Sequence, residues 1–144
     1  MKLSTRTRYG LRAILELAEH SEQGPLQLRV IAGRQEVSAK YLEQLMSVLK
    51  SAGLVRSVRG ARGGYVLARP PGKIRLSEVF HCLEGRVTTA ECVESRDACR
   101  RSADCAARLL WTDVQNAVEN VLNSATLQDL INRSRRPGAV DYQI

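Results

Sequence analysis

The stretch that decides the fold is residues 38–68, SAKYLEQLMSVLKSAGLVRSVRGARGGYVLA. Its first half has apolar residues at positions 42, 45, 46 and 49, the spacing of one buried helix face. Ser38 is placed to cap the start of this helix, and Gly53 is placed to end it. The second half alternates as two short strands around the glycine-rich turn RGARGG, so it predicts a β-hairpin.

The residues before this stretch are predicted to form two more helices. A short helix, LRVIAGRQ (residues 28–35), is followed by the tight turn EVS and then by the helix described above. A short helix, a tight turn, a helix with a polar outer face and a hairpin together indicate a winged helix-turn-helix. An amphipathic helix over residues 4–20, capped by Ser4 or Thr5, precedes them.

The second half of the chain is predicted to be helical. Ser77 could cap a short helix, and Asp104 could cap a long one in DCAARLLWTDVQNAVENVL (residues 104–122). The long helix has a wide apolar stripe that needs a partner, which a second subunit could supply. Thr126 is expected to cap a last short helix. The predicted fold is mainly α with a small β-hairpin: a winged helix-turn-helix followed by a long C-terminal dimerisation helix.

These elements predict four regions. Residues 1–75 form a winged helix-turn-helix DNA-binding region, and residues 76–100 hold a short helix and a cysteine-bearing loop. Residues 101–133 form the dimerisation helix and the final short helix, and residues 134–144 form a flexible tail.

The charge distribution indicates a polyanionic partner. Residues 1–75 contain 14 basic and 5 acidic residues, whereas residues 76–144 contain 8 and 10. Double-stranded DNA is the partner that best fits such a cationic half, and a membrane surface fits less well because the charges are interleaved with core residues. The chain has no membrane-spanning apolar run, and its start has no signal-peptide pattern, so a cytoplasmic location is expected.

Ten residues are predicted to contact DNA. Ser38, Lys40 and Tyr41 suit phosphates, and the amide of Gln44 could read adenine. Glu43 is an anion on this face. It is either a solvated helix charge, which could pair with Arg34 or Lys40, or a selective group that accepts a hydrogen bond from cytosine N4 or rejects sites that do not offer one. In the wing, basic tip residues could reach phosphates or the minor groove. The predicted contacts are Ser38, Ala39, Lys40, Tyr41, Glu43, Gln44, Arg59, Gly60, Arg62 and Gly63.

Three of the four cysteines lie in one polar stretch. Cys92, Cys99 and Cys105 are separated by six and five residues, which is looser than a zinc-finger CxxC. Reduced thiols clustered in this way indicate a metal site, and soft thiolates accept either zinc or an iron–sulfur cluster. Cys82 lies on a short apolar helix and is interpreted as a buried small residue.

Enzymatic chemistry has little support in the sequence. A thiol redox enzyme is the alternative class of protein, but no CxxC adjoins a βαβ pattern, and no paired carboxylates, phosphate-binding loop or nucleophile–base arrangement is visible. The two histidines, His20 and His81, lie near predicted helix ends. The chain is therefore predicted not to be an enzyme.

Three segments, MKLSTRTRYGLRAILELA, SAKYLEQLMSVLKSAGLV and VRGARGGYVLA, closely resemble the Rrf-two-type winged-helix repressors. Within that family, the cysteine trio and NSATLQDLI (residues 123–131) are similar to the iron–sulfur cluster regulators. The resemblance covers about residues 1–133. It implies a homodimer with crossing long helices, a palindromic DNA operator and control of cluster-assembly genes. It also implies an iron–sulfur cluster, usually [2Fe–2S], on the three cysteines, which can be labile or absent from the isolated protein.

The resemblance leaves the fourth cluster ligand open. Those cluster regulators have a histidine where this chain has Arg108, and nitric-oxide-sensing relatives use an N-terminal acidic residue where it has Arg6-Thr7-Arg8. Arginine stays protonated and does not ligate. The remaining candidates are a solvent-derived ligand and the side chains of Glu91, Glu94, Asp97, Asp104, His20 and His81.

A second function within the same family is an alternative. AVENVLNSATLQDL (residues 117–130) is also similar to a cluster-free repressor of cysteine metabolism that is controlled by a docking cysteine-biosynthesis enzyme. That type of regulator lacks the cysteine trio.

Overall fold

The computed structural model describes residues 1–136, so most of the predicted flexible tail (residues 134–144) lies outside the described residues. Within these described residues, seven α-helices and one two-stranded antiparallel sheet follow one another, with 3-10 turns at Pro71–Lys73 and Arg96–Ala98. The elements are α1 (Thr5–Glu19), α2 (Leu28–Gln35), α3 (Ala39–Ser51), β1 (Val55–Val58), β2 (Gly64–Leu67), α4 (Leu76–Glu84), α5 (Glu91–Glu94), α6 (Ala106–Ser124) and α7 (Leu127–Ser134).

The first three helices form the helix-turn-helix, and their core confirms the predicted apolar face of α3. Leu42, Met46 and Leu49 are fully buried against α1 and α2. The Ser38 hydroxyl accepts a hydrogen bond from the backbone N–H of Tyr41 at 3.1 Å, so Ser38 caps the helix as predicted. This cap fixes where α3 begins relative to the turn before it.

The hairpin is anchored to the residue that precedes α2. Val55 pairs with Leu67 and Val58 with Gly64, which leaves residues 59–63 as the wing tip. Leu26 forms an isolated antiparallel bridge to Tyr65, with N–H···O distances of 3.0 and 2.9 Å. The wing is therefore attached, near its tip end, to the residues that precede α2.

Helix α4 begins one residue earlier than its predicted cap. Ser77 lies inside the helix and is buried, so it is not the cap. The Glu78 carboxylate accepts the Arg75 backbone N–H at 2.9 Å and the Arg69 guanidinium at 2.8 Å. These contacts, the Arg69 bond first, hold the pKa of Glu78 below its usual value. The carboxylate thus defines the helix start.

The N-terminus of the chain is tied to the end of α4. The Ser4 hydroxyl, which also caps α1, donates to the Glu84 carboxylate at 2.6 Å, and the buried Thr7 hydroxyl donates to the same oxygen. The pKa of Glu84 is lowered by these hydrogen bonds. The contact is therefore present at neutral pH and is lost as the pH falls through that lowered value.

The long helix α6 is covered on one side only. It packs on α4 and α5, and a hydrogen bond of 3.0 Å joins His81 Nε2 to the Glu119 carboxylate, yet no residue along its described length is buried. It begins after Cys105, so Asp104 is not its cap as predicted. Its exposed apolar side chains are Leu109, Leu110, Trp111, Val114 and Val121.

The last helix returns to the N-terminal half. Thr126 caps α7 as predicted, in a reciprocal pair with Asp129. Leu127 and Ile131 are buried in the core that also contains α1 and α3 residues. None of the helices within residues 1–136 is long and apolar enough to cross a membrane.

Candidate nucleic-acid interface and cysteine loop

The outer face of α3 presents the polar residues that the sequence predicts for base contact. Lys40, Glu43 and Gln44 are exposed, and with Ser47 they line an open groove on the protein surface. Ser47 was not among the predicted contacts. Its position three residues after Gln44 and four after Glu43, on the same helix face, is the signal that could have identified it.

The predicted contacts at the start of α3 are already engaged within the chain. The Ser38 hydroxyl is used as the helix cap, and the half-buried Tyr41 ring packs edge-on against Tyr9 with centroids 6.2 Å apart. The Arg12 guanidinium lies 5.7 Å from the centroid of that Tyr9 ring. Ala39 is exposed beside the cap. These contacts fix the helix start, where backbone N–H groups are available to a phosphate.

Glu43 does not have the ion-pair partner that one interpretation gave it. Arg34 pairs with Glu16 at 3.5 Å, and within residues 1–136 no salt bridge involves Glu43 or Lys40. Within the described residues the carboxylate is therefore not paired with Arg34 or Lys40, and its exposure agrees with a solvated helix charge as well as with base recognition. It stays exposed beside Gln44, where a base edge could be read.

The wing tip exposes two arginines on a tight turn. Arg59, Gly60 and Arg62 are exposed, and the Gly63 N–H donates to the Gly60 carbonyl at 3.0 Å. Gly63 is buried instead, and a Cβ atom there would lie 2.1 Å from the carbonyl oxygen of Val58. Its presence is explained by close backbone approach inside the wing.

A Gly63→Ala substitution is expected to destabilise the protein by about 1–3 kcal/mol, because backbone must move away from the new methyl group. Urea unfolding measures this. Gly33→Ala is the matched control, since Gly33 lies on α2 with no atom within 4 Å of an added Cβ. The control should be neutral or slightly stabilising, because alanine is the better helix former. Equal unfolding midpoints for the two variants would contradict the close approach.

The three clustered cysteines lie at three separate places in the segment between α4 and α6. Cys92 is half-buried in α5, Cys99 is exposed after the second 3-10 turn, and Cys105 is half-buried just before α6. Throughout residues 1–136, no three side chains of His, Cys, Asp or Glu come together in a metal-holding group. The structure therefore keeps the three thiols on one loop without bringing them to a common point.

Hydrogen bonds attach this loop to α6. The Arg108 Nε donates to the carbonyl of Cys92 at 2.8 Å, and the Thr89 hydroxyl donates to the Trp111 carbonyl at 2.8 Å. The buried Ser102 donates from its hydroxyl to the Cys99 carbonyl at 2.9 Å. Arg108, which stands where a ligand was expected, thus holds the turn that carries Cys92.

Several of the possible additional ligands have other contacts. His81 is paired with Glu119, and Glu94 accepts a hydrogen bond of 2.6 Å from Thr88. Cys82 is half-buried on α4, packed against the core, and burial raises the pKa of its thiol. The sulfur donors that could hold a soft metal or cluster are Cys92, Cys99 and Cys105, and Glu91, Asp97, Asp104 and His20 stay candidates for a further ligand. The chemistry of the three thiols, which lie outside the hydrophobic core, fits such a group.

The whole folded chain is similar to known transcriptional regulators. Residues 3–133 match the sequence profile of a family described as Rrf2, iron-dependent transcriptional regulator. The regulator CymR of Bacillus subtilis is 43% identical over 130 residues, which cover 90% of this chain and 89% of that protein. The regulator IscR of Pectobacterium atrosepticum is 36% identical over 143 residues, which cover 99% and 87%.

Solved structures confirm the predicted fold class. The structure of CymR, the global cysteine regulator of B. subtilis, superposes with a TM-score of 0.80 at 42% identity, covering 92% of this chain and 97% of that one. IscR of T. potens superposes with a TM-score of 0.77 at 39% identity, covering 94% and 89%.

Proposed function

Since the chain belongs to the Rrf2 family of transcriptional regulators, we propose that it is a homodimeric repressor whose affinity for a palindromic operator depends on an iron–sulfur cluster. It is a regulator and not an enzyme, in keeping with its relatives. The proposed targets are genes of iron–sulfur cluster assembly.

The observation that carries DNA binding is the exposed polar face of α3 beside an arginine-tipped wing. α3 enters the major groove, where Gln44 can pair with adenine and Glu43 can accept from cytosine N4. Lys40 neutralises a phosphate, and Arg59 and Arg62 contact the backbone or the adjacent minor groove. Phosphate contacts position the protein, and the two α3 side chains select the sequence.

The observation that supports cluster sensing is the cysteine trio itself. Cys99 is exposed and the other two are half-buried, so the packing of the core does not account for three thiols in fourteen residues. A bound [2Fe–2S] cluster would supply a group whose presence reports on iron–sulfur supply or oxidation. Cys92, Cys99 and Cys105 would hold it, and the loop they share is hydrogen-bonded to α6 through Arg108. A change in the conformation of the loop on cluster binding would then move α6, which is the proposed dimerisation helix.

A second function is favoured by different observations. The chain is more similar to the B. subtilis cysteine regulator than to the IscR relative described above, and its thiols do not converge within residues 1–136. On this proposal the chain is a cluster-free repressor of cysteine metabolism, and a docking cysteine-biosynthesis enzyme is its signal. Both proposals use the same DNA interface.

The DNA interface is tested with two lysines of equal charge. Lys40→Ala should weaken binding to a duplex selected by the wild-type protein by roughly 5- to 10-fold at low salt and should reduce the salt slope by about one. Lys73→Ala is the control, since Lys73 is exposed on the 3-10 turn Pro71–Lys73 and is not among the predicted DNA contacts. Fluorescence anisotropy across a salt series provides both numbers. Equal losses for the two variants would mean that α3 is not the interface.

A further inference from the structure

Gln27 stands at a position where its side chain would be expected to cap a helix, but it does not. It is the residue before α2, and it makes no side-chain hydrogen bond to the start of that helix. Glutamine is not among the preferred capping residues, which are serine, threonine, asparagine and aspartate. The Gln27 amide is therefore available for a contact outside α2.

That contact is with the tip of the wing. The Gln27 Nε2 donates to the backbone carbonyl of Ala61 at 3.3 Å, across 34 residues of sequence. The Arg29 Nε donates to the Gln27 Oε1 at 2.8 Å, so the amide is held with its NH₂ group toward the wing. Next to it, the Leu26–Tyr65 bridge holds β2 one residue after the pair Val58–Gly64 that closes the tip. The tip end of the wing is thus held by backbone at Tyr65 and by one side chain at Ala61.

The carbonyl that Gln27 holds controls the shape of the tip. The Gly63 N–H donates to the Gly60 carbonyl, so residues 60–63 form a β-turn with Ala61 and Arg62 in its centre. Among the described residues, Glu36 is the only non-glycine with a positive φ, so Arg62 does not have the positive φ of a type II turn. Types I and II differ by rotation of the peptide plane between the two central residues, which here contains the Ala61 carbonyl and the Arg62 N–H. A hydrogen bond to this carbonyl opposes that rotation.

We propose that Gln27, oriented by Arg29, is a positioning residue that holds the wing-tip turn in one form and so directs Arg62 toward DNA. The inference rests on the proposed DNA binding. Gln27 reaches the DNA-binding tip from the helix-turn-helix side, so it couples the angle of the wing to the placement of α2 and α3. An untethered tip would sample more backbone conformations, and ordering it on DNA would cost affinity.

Two neutral substitutions test this. Gln27→Met keeps the length of the side chain and removes its hydrogen bonds, whereas Gln27→Ser supplies a preferred helix cap but cannot reach the wing. Both should weaken binding to the duplex selected by the wild-type protein by roughly 5- to 20-fold. The melting temperature of Gln27→Ser should be unchanged or higher, so the loss of DNA affinity should occur without a loss of stability. A merely structural contact would lower both together.

Arg62→Ala supplies the decisive readout. Its cost in affinity should be at least about threefold smaller in the Gln27→Met background than in the wild type, because Arg62 is no longer directed there. Additive effects would overturn the proposal, as would wild-type affinity in both Gln27 variants or a parallel fall in melting temperature. Failure of the wild-type protein to select any duplex would instead overturn the DNA-binding function on which the proposal rests.

Discussion

A Val114→Asp variant is expected to be monomeric and to bind the operator on the order of 100-fold more weakly than the wild-type protein. Val114 is 42% exposed and Val121 is 64% exposed on the uncovered face of α6. Burying apolar surface stabilises an assembly by roughly 25 cal/mol per Å². A second copy of α6 can cover these exposed side chains and so stabilise a dimer. A carboxylate in the middle of the interface would be desolvated without a partner, which opposes association.

The weaker DNA binding follows because a monomer contacts only one half-site of the operator. A dimer places two recognition helices on one palindrome, so the second contact is made at a high effective concentration that a monomer lacks. Sedimentation velocity measures the mass, and anisotropy measures the affinity.

Asn116→Asp is the matched control, because it adds the same charge at an exposed position on another side of α6. It should remain dimeric. If Val114→Asp sediments as a dimer while circular dichroism shows native helix content, the α6 face is not the dimer interface.

The triple substitution of Cys92, Cys99 and Cys105 by serine is expected to remove essentially all bound iron and acid-labile sulfide from anaerobically reconstituted protein. Serine keeps the size of each side chain but loses the thiolate that a cluster prefers. Operator affinity of the triple variant should then match that of the cluster-free wild type. Loading the wild type should change its affinity by about 5- to 150-fold, the usual range of allosteric coupling.

Cys82→Ser provides the control, since this thiol is half-buried against the core on α4 and should not be needed for cluster retention. Visible charge-transfer absorbance and iron, sulfide and zinc assays are the measurements. Retention of iron and sulfide by the triple variant would rule out these cysteines as ligands. A wild-type protein that binds operator tightly, yet takes up neither iron nor zinc on reconstitution, would favour the cluster-free repressor of cysteine metabolism.

The helix-turn-helix could be predicted from the sequence because each feature that defines it involves residues close together in the chain. The buried positions of α3, the Ser38 cap and the Thr126 cap each depend on residues within a few positions of one another. The hairpin was predictable for the same reason, since alternating residues flank a glycine-rich turn. The confirmed parts of the fold are those in which propensity and burial agree.

Contacts distant in sequence were not predictable from one chain. The start of α4 depends in part on Arg69, nine residues before Glu78, whereas the carboxylate of Glu78 three residues after Arg75 is a local signal of the true cap position. The Gln27–Ala61 contact spans 34 residues and left only an unusual capping residue as a sign. The separation of Cys92, Cys99 and Cys105 on three elements also depends on how α5 packs on α6, which residue spacing does not determine.

The return of α7 makes the two halves of the chain one cooperative folding unit. The Leu127 N–H donates to the Ile74 carbonyl at 3.0 Å, the Leu76 N–H donates to the Ala125 carbonyl at 2.9 Å, and Ile131 is buried beside α1 residues. A fragment ending at residue 75 would lack these side chains and would expose the apolar surface they cover. Since α6 is joined to the DNA-binding half near its C-terminal end, through the His81–Glu119 contact on α4 and through α7, a rotation of that end would displace two helices that both pack on α1.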